Sequence, residues 1–412
     1  MKVLLSAYAC QPDQGSEPGI GWNWVVQASQ EHDVWVLTRE ENRKRIEAKL
    51  QDSPIPGVNF VYHELPVWLR VLSIIGQRLG LGLYIHMFLW QVTAVAPAKK
   101  LQSEIAFDVA HHVTYGSVRN GSFLKELDIP FIWGAVGGME EAPRGLLHGL
   151  PRRYRLLEAI RASSNNILVL MPGVRKTART ASRVLATTQE TADKLSQRLG
   201  IDIDVVPNIG ITPPSSPPER YSPPGGRVQL LYVGRLVYWK GIDLAIESIA
   251  GIESEHSGLS LNIIGAGPDK TRLANLVNDL GLGDSVHFLG ALPPEEVRKH
   301  LEDSDIFVFP SLHDSGGFAV LEAMAAGLPV ICMDLGGPGL AVTDSCGIKI
   351  RAADRRSAVT QITGAIKHLS QNEELRRSLG RSGYQRVCDA YEWDGKRAII
   401  SRLYCDLVSA RS

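Results

Sequence analysis

The strongest constraint on this 412-residue chain is a doubled alternation of short apolar runs with helix-length segments. In the first half the runs fall at 2–8, 33–37, 58–62, 108–113, 131–136, 184–186 and 203–206. Short continuous apolar runs of this kind suit strands buried on both faces of a parallel sheet. The pattern breaks between Pro207 and Gly226, where Pro213, Pro214, Pro217, Pro218, Pro223 and Pro224 sit among Ser and Gly. Proline fixes φ and removes a backbone donor, so neither a helix nor a central strand fits there. The alternation restarts at 228–233, 260–264, 285–288, 306–309, 330–333 and, more weakly, 348–350. After Gly241, Ile242, Ala245, Ile246 and Ile249 fall on one face of a helix.

Such alternation implies parallel sheets covered on both faces by right-handed crossovers. Two series around one linker predict an α/β protein with two Rossmann-like domains facing a central cleft. The boundaries read as 1–206 for the first domain, 207–226 for the linker, 227–390 for the second domain and 391–412 for a terminal helix crossing back to the first. Ligands of these sheets bind outside the carboxyl ends of the strands, so chemistry is expected in the loops that follow strands.

Composition narrows the function classes. Lys plus Arg (44) equals Asp plus Glu (44), which removes the global basic footprint of a dedicated nucleic-acid binder. Five cysteines, without Cys-x-x-Cys or zinc spacing, argue against a disulfide framework and a structural metal. The apolar stretch before Cys10 is too short for a signal core, which points to the cytoplasm. Two segments stand apart. Residues 65–101 are apolar and aromatic, with Trp68, Leu72, Phe88 and Trp90, but Arg70 and Arg78 interrupt any membrane span. Residues 143–183 carry nine Arg or Lys against a single acid, Glu158.

The residues that carry chemistry lie mostly in the second series. The stretch 310–330 reads as a strand end, a loop with Gly316 and Gly317, and a short apolar helix closed by Gly327 and Pro329. Its one acid, Glu322, needs a polar partner if the helix is buried, and glycines at a helix start leave backbone N–H groups open to an anion. Upstream, a strand ends in Gly234-Arg235, and Lys240 follows just before a helix. Arg offers a planar fork and Lys a point charge, a good pair for phosphate. Gly265-x-Gly267 lacks the third glycine of a dinucleotide fingerprint, with Lys270 in that place, so a dehydrogenase is set aside. Asp202-Ile203-Asp204 has a metal-like spacing but lies far from these motifs and reads as strand-edge decoration.

Val233-Gly234-Arg235, Lys240-Gly241, Ile264-Gly265-Ala266-Gly267, Phe288-Leu289-Gly290 and the Asp314/Glu322 pair occur in that order. This set resembles the large family of retaining, nucleotide-sugar-dependent glycosyltransferases of the GT-B architecture (family four, group 1). The resemblance runs over nearly the whole chain, from the Gly15-Ser16-Glu17-Pro18-Gly19-Ile20-Gly21 loop to the Trp393 tail. It implies that Arg235 and Lys240 hold the donor diphosphate, that Glu322 binds the donor ribose, and that Asp314 contacts the transferred sugar in place of the usual Glu. Gly316-Gly317-Phe318 stands where Gly-Phe-Gly is common. It further implies donor contacts at Gly19, Gly234, Gly265, Gly267, Leu289, Gly316, Gly317 and Phe318, and a His near the sugar, either His111 or His112. No metal and no cofactor beyond the donor co-substrate are expected.

The reading is a retaining hexosyltransferase using a UDP- or GDP-sugar, with a glycan, lipid-linked or small-molecule acceptor on the first domain, in polysaccharide or glycolipid biosynthesis. Residues 65–101 and 143–183 read equally as helix packing with a solvated face, or as a surface meeting an anionic membrane. Glu140-Glu141 faces either the acceptor or its own loop. The rival readings are an epimerase-like sugar-nucleotide enzyme, a phosphorylase (which would need a pyridoxal lysine), a two-lobed solute-binding protein and a catalytically weakened sugar-nucleotide binder.

Overall fold

A computed structural model describes residues 1–78, 82–217, 227–253 and 258–409. Residues 218–226 of the expected linker, 79–81 of the apolar segment and 410–412 of the expected terminal helix lie outside the described residues. The first sheet contains β1 (Lys2–Ser6), β2 (Asp33–Arg39), β3 (Val58–His63), β4 (Val109–His112), β5 (Phe131–Val136), β6 (Arg183–Ala186) and β7 (Asp204–Val205). The second contains β8 (Val228–Val233), β9 (Leu259–Ile264), β10 (Val286–Gly290), β11 (Ile306–Phe309), β12 (Val330–Met333) and β13 (Gly347–Ile350). Each apolar run of the sequence has become a strand, and the central ones are apolar throughout because they are covered on both faces. Val3, Leu4 and Leu5 of β1 and Ile306, Phe307 and Val308 of β11 are fully buried.

The strand orders are β3-β2-β1-β4-β5-β6-β7 and β10-β9-β8-β11-β12-β13. β1 pairs in parallel with β2 and β4, and β8 with β9 and β11. In both sheets the chain starts in the middle, winds outward over two strands, then returns to the other side. The winding reverses between β1 and β4, and between β8 and β11. Loops leaving those neighbours diverge and open a crevice at their carboxyl ends.

The chain divides into two compact units. One comprises Met1–Met139, Ser163–Ile209 and Trp393–Ser412; the other comprises Glu140–Ala162 and Gly210–Glu392. The segment 140–162, read from the sequence as part of the first domain, therefore counts with the second. The cause is contact: the Tyr154 ring stacks on Tyr238 at 4.3 Å, and a side chain at Gly145 would sit 2.0 Å from the Ala353 carbonyl. Helix Trp393–Ser409 lies in the first unit, where the Lys396 amine donates to the Pro207 carbonyl at 2.7 Å.

Trp24, Trp90, Trp133, Phe123 and Phe131 fill the core of the first unit; Tyr232, Phe307 and Phe309 fill that of the second. Each such burial contributes about 1.5–3 kcal/mol. The apolar segment forms helices Val67–Arg78, Gly82–Thr93 and Val95–Ile105. Among the described residues no helix is long and apolar enough to cross a membrane.

Candidate active site

In the second unit the crevice at β8 and β11 is built by two loops that grip one another. After β8 the chain passes Gly234 and Arg235 into the single turn Tyr238–Lys240, and Gly241 then takes a left-handed φ of 65°. A side chain at Gly241 would lie 2.1 Å from the Pro310 carbonyl that follows β11, so only glycine lets these backbones meet. The Leu312 N–H donates to the Trp239 carbonyl at 2.8 Å and closes the contact. Lys240 and Asp314 are thereby brought face to face. The Lys240 ammonium donates to the Asp314 carboxylate and rests 4.8 Å above the Phe309 ring.

Arg235 projects from the same edge and is exposed. Among the described residues no carboxylate or carbonyl engages its guanidinium. Glu322 was expected to need a polar partner if its helix is buried; the helix is buried on its other sides, but the Glu322 side is open. It is the exposed residue of helix Phe318–Ala325, whose Val320, Leu321, Ala323 and Met324 are buried. Its carboxylate has no partner among the described residues. Surrounding protein nevertheless holds its pKa above the usual carboxylate value by desolvation, so water reaches the group while most directions are closed.

The loop glycines play two parts. Gly317 caps helix Phe318–Ala325 in a left-handed conformation, φ 85°. Gly316 was expected to offer a free N–H, but it donates to Asp314 Oδ1 at 3.2 Å. No backbone acceptor takes the N–H groups of Gly317 and Phe318 among the described residues. Gly265 and Gly267 serve backbone crossing: side chains there would lie 1.9 Å from the Gly234 carbonyl and 2.2 Å from that of Leu236. The Leu236 N–H donates to the Ala266 carbonyl at 3.0 Å, tying the loop after β9 to the loop after β8. Leu289 lies in β10, near the same edge. Among the described residues the loops of this edge present the Arg235 guanidinium, the Lys240 ammonium, helix-start amides and the Glu322 carboxylate, groups fitted to a diphosphate and a diol.

Residues 218–386 match the family of glycosyl transferases group 1. The matched stretch lies wholly within the second unit. Glycogen synthase of Mycobacterium tuberculosis is 26% identical over 230 residues, 55% of this chain and 54% of the relative. The chain thus spans about half the length of the curated relatives it matches first. A GDP-mannose-dependent alpha-(1-6)-phosphatidylinositol monomannoside mannosyltransferase of the same organism is 26% identical over 300 residues, 67% of this chain and 76% of the relative. Sucrose-phosphate synthase from Thermosynechococcus elongatus superposes over 99% of both chains with TM-score 0.66 and 17% identity. The fold is GT-B.

Beside the group 1 domain, the first unit treats its candidates differently. His111 is corrected from a site residue to a core residue. Its Nε2 donates to the Gly134 carbonyl at 2.7 Å, so Nδ1 accepts from the Tyr404 hydroxyl at 2.9 Å. Full burial pushes its pKa down to about 3. His112, at the last position of β4, is also buried, with Nδ1 3.1 Å from Ser122 Oγ, and desolvation lowers it to about 4. Gly19 and Gly21 were placed in a mobile loop; they lie inside helix Ser16–Ser29. Side chains there would meet the Gln14 carbonyl at 2.0 Å and the Ala9 carbonyl at 2.1 Å, so both glycines serve packing.

At the β1/β4 edge the sequence reading missed a polar aromatic group. The Tyr8 hydroxyl and His86 Nδ1 are 2.7 Å apart, and the Arg39 guanidinium lies 4.3 Å above the Tyr8 ring. Tyr115 meets Tyr8 edge-on at 5.2 Å. It has a left-handed φ of 52°, held by Glu17 Oε2 accepting its N–H at 2.8 Å. In the group 1 unit the reading missed His313, Tyr238 and Glu158, which are hydrogen-bonded together. Glu140 accepts from the Ser315 hydroxyl at 2.7 Å. The signal was present: Glu158 is the lone acid of a basic tract, and His313 precedes Asp314.

Proposed function

We propose that this protein is a retaining glycosyltransferase that moves a hexose from a nucleoside diphosphate sugar to a glycan or lipid-linked acceptor. The observation that carries the reading is the exposed Arg235 guanidinium, without a carboxylate or carbonyl partner among the described residues, in the same loop as Lys240 at the reversal of the second sheet. A diphosphate would engage Arg235 through its fork and share Lys240 with Asp314. The Gly317 and Phe318 amides would complete the anion site, and Glu322 would accept from the ribose hydroxyls. As the anomeric bond breaks, negative charge grows on the departing diphosphate. Arg235 and Lys240 stabilise it where they already stand, without a metal ion.

Asp314 positions Lys240 and faces the sugar hydroxyls. None of these side chains is proposed as a covalent nucleophile, so the reading is displacement on one face: the anomeric C–O bond breaks with its electron pair leaving on the diphosphate, the acceptor oxygen bonds to the anomeric carbon on that same face, and the departing phosphate oxygen takes the acceptor's proton. The donor is a UDP- or GDP-sugar. The acceptor docks at the β1/β4 edge, where Tyr84 is exposed and Tyr115 half-buried.

The acceptor's lipid lies in an anionic membrane at the cytoplasmic face. Supporting this, helix Val67–Arg78 exposes Val67, Trp68, Val71, Leu72 and Ile74, and Trp68 is 72% exposed. Helices Arg152–Leu168 and Pro172–Thr180 expose Leu156, Ile160 and Ile167 beside Arg152, Arg153, Arg155, Arg175 and Arg179. Co-sedimentation with anionic vesicles at low salt is expected; its absence ends the membrane part alone.

The test of the activity is release of free nucleoside diphosphate from a panel of UDP- and GDP-sugars, with and without lipid-linked acceptors. Acceptor-dependent release with the α-anomer formed from an α-donor supports the reading. Donor binding without release supports the weakened binder, a reading favoured by one observation: Asp314 points at Lys240.

A further inference from the structure

The segment 140–162 reaches the group 1 domain through one buried acid. Glu158 is 5% exposed at its side chain and sits in a tract otherwise basic. Its Oε1 accepts from the Tyr238 hydroxyl at 2.8 Å and from His313 Nε2 at 3.0 Å. Its Oε2 accepts from Arg161 Nε at 3.2 Å. A carboxylate this buried is costly unless donors surround it. Here three do, and they hold its pKa down at about 2 against desolvation.

The two donors from the group 1 domain lie beside donor-site residues. Tyr238 opens the turn that ends in Lys240, and His313 is bonded through the chain to Asp314. Both are locked from their other sides. Tyr154 stacks on Tyr238 at 4.3 Å and donates its hydroxyl to Asp269 at 2.8 Å. Trp239 stacks on His313 at 5.7 Å. One loop residue further on, Ser315 donates to Glu140, at the start of the same segment. Glu158 thus bridges the two loops at Tyr238 and His313, and the Lys240–Asp314 pair bridges them a second time.

We infer that Glu158 is a positioning residue for the donor site, and that segment 140–162 acts as a strap fixing the separation of the Lys240 and Asp314 loops for a nucleoside diphosphate. The inference rests on the glycosyltransferase reading. Without Glu158, Tyr238 and His313 lose their common acceptor and the loops take several separations. Only a fraction of molecules then present Arg235 and Lys240 together to the diphosphate. Small misplacements of such groups have large effects on rate.

The test measures calorimetric binding of UDP and GDP, donor and acceptor KM, and thermal midpoint for the parent, Glu158→Ala, Glu158→Gln and Tyr238→Phe. Glu158→Ala is expected to weaken nucleotide binding and raise donor KM by about tenfold or more, with acceptor KM unmoved. Glu158→Gln keeps an oxygen for Tyr238 and His313 but opposes Arg161 with an amide, so about threefold is expected. Tyr238→Phe should fall between them.

Parent nucleotide affinity in a folded Glu158→Ala protein overturns the inference, and so does an equal rise in both KM values, which marks a merely structural role. Should Glu158→Ala fail to fold, Tyr238→Phe and Glu158→Gln decide: parent affinity in both overturns it. A parent that binds neither UDP nor GDP refutes the donor-site reading itself and takes the inference with it.

Discussion

The two sheets reverse at the same topological place, β1/β4 and β8/β11, yet they treat polar side chains there in opposite ways. At β8/β11, Arg235 and Glu322 stand exposed and without protein partners among the described residues. At β1/β4 the groups are consumed internally. His111 is fixed by Gly134 and Tyr404, Arg39 donates to the Tyr8 carbonyl and to Glu41, and Glu17 holds the Tyr115 amide. Topology marks where a ligand can bind; hydrogen-bond satisfaction decides what kind. A guanidinium left in water loses nothing until an anion arrives, whereas groups already satisfied contribute shape and neutral contacts. In the proposed function the second edge is thus primed for the charged donor, and the first for a hydroxyl-bearing acceptor.

The largest expected effect tests the primed edge. Lys240→Ala should lower turnover by about 100-fold or more, because a cation is removed from the developing diphosphate charge and Asp314 loses its partner. Nucleoside diphosphate release measures it, and near-parent turnover would erase the distinction between the edges. The next effect belongs to the satisfied edge and reads out in stability. His111 and His112 have folded pKa values lowered to about 3 and about 4 by burial, against about 6.5 unfolded. A lowered histidine favours the neutral folded form, so its contribution is complete above pH ~6.5 and is lost as pH falls below it. Together the pair should cost about 2–3 kcal/mol between pH 7 and 5.5. Urea midpoints over that range check it, and His111→Gln should remove about half of the slope. A flat profile in the parent would show histidines open to solvent.

The central strands were legible because burial on both faces forces an unbroken apolar run, and the end of the run 228–233 then located Arg235 and Lys240, whose diphosphate role came from the family resemblance. Four things were not legible. The sequence could not show that a segment before the linker docks on the second sheet, since Tyr154, Glu158 and Gly145 find their partners 80 or more residues away. It placed Glu322 among apolar neighbours, but a short helix has one open side, and spacing alone does not say which. It read Gly19 and Gly21 as loop formers, although glycine is equally demanded where a helix touches a carbonyl, as both do here. The doubled His111-His112 was ambiguous because adjacent strand residues face opposite ways, and here both sides are buried.

A smaller effect sharpens the primed edge. Glu322→Gln keeps size and one acceptor oxygen but loses the charge that strengthens a bond to ribose hydroxyls, worth about 1–2 kcal/mol. Donor KM should rise by about tenfold while kcat changes less, because the ribose contact is made before and after bond cleavage alike. An equal fall in kcat would place Glu322 on the reacting sugar instead.

The smallest effect concerns Asp314. Its carboxylate is already shared between the Lys240 ammonium and the Gly316 N–H, and the aspartate is short enough to serve both. Asp314→Glu adds one methylene. The longer chain releases the Gly316 amide to the anion site and carries the carboxylate outward, toward the transferred sugar. Turnover should survive, because Lys240 keeps a carboxylate within reach. What should move, by about threefold to tenfold, is the ratio of kcat/KM between donors that differ in one sugar hydroxyl, since a site built on hydrogen bonds discriminates by the bonds it leaves unmade. If every ratio holds while turnover falls, Asp314 acts on the donor only by holding Lys240. The shortened acid would then belong to the phosphate side of the edge, and sugar choice would have to be made by groups outside the two loops.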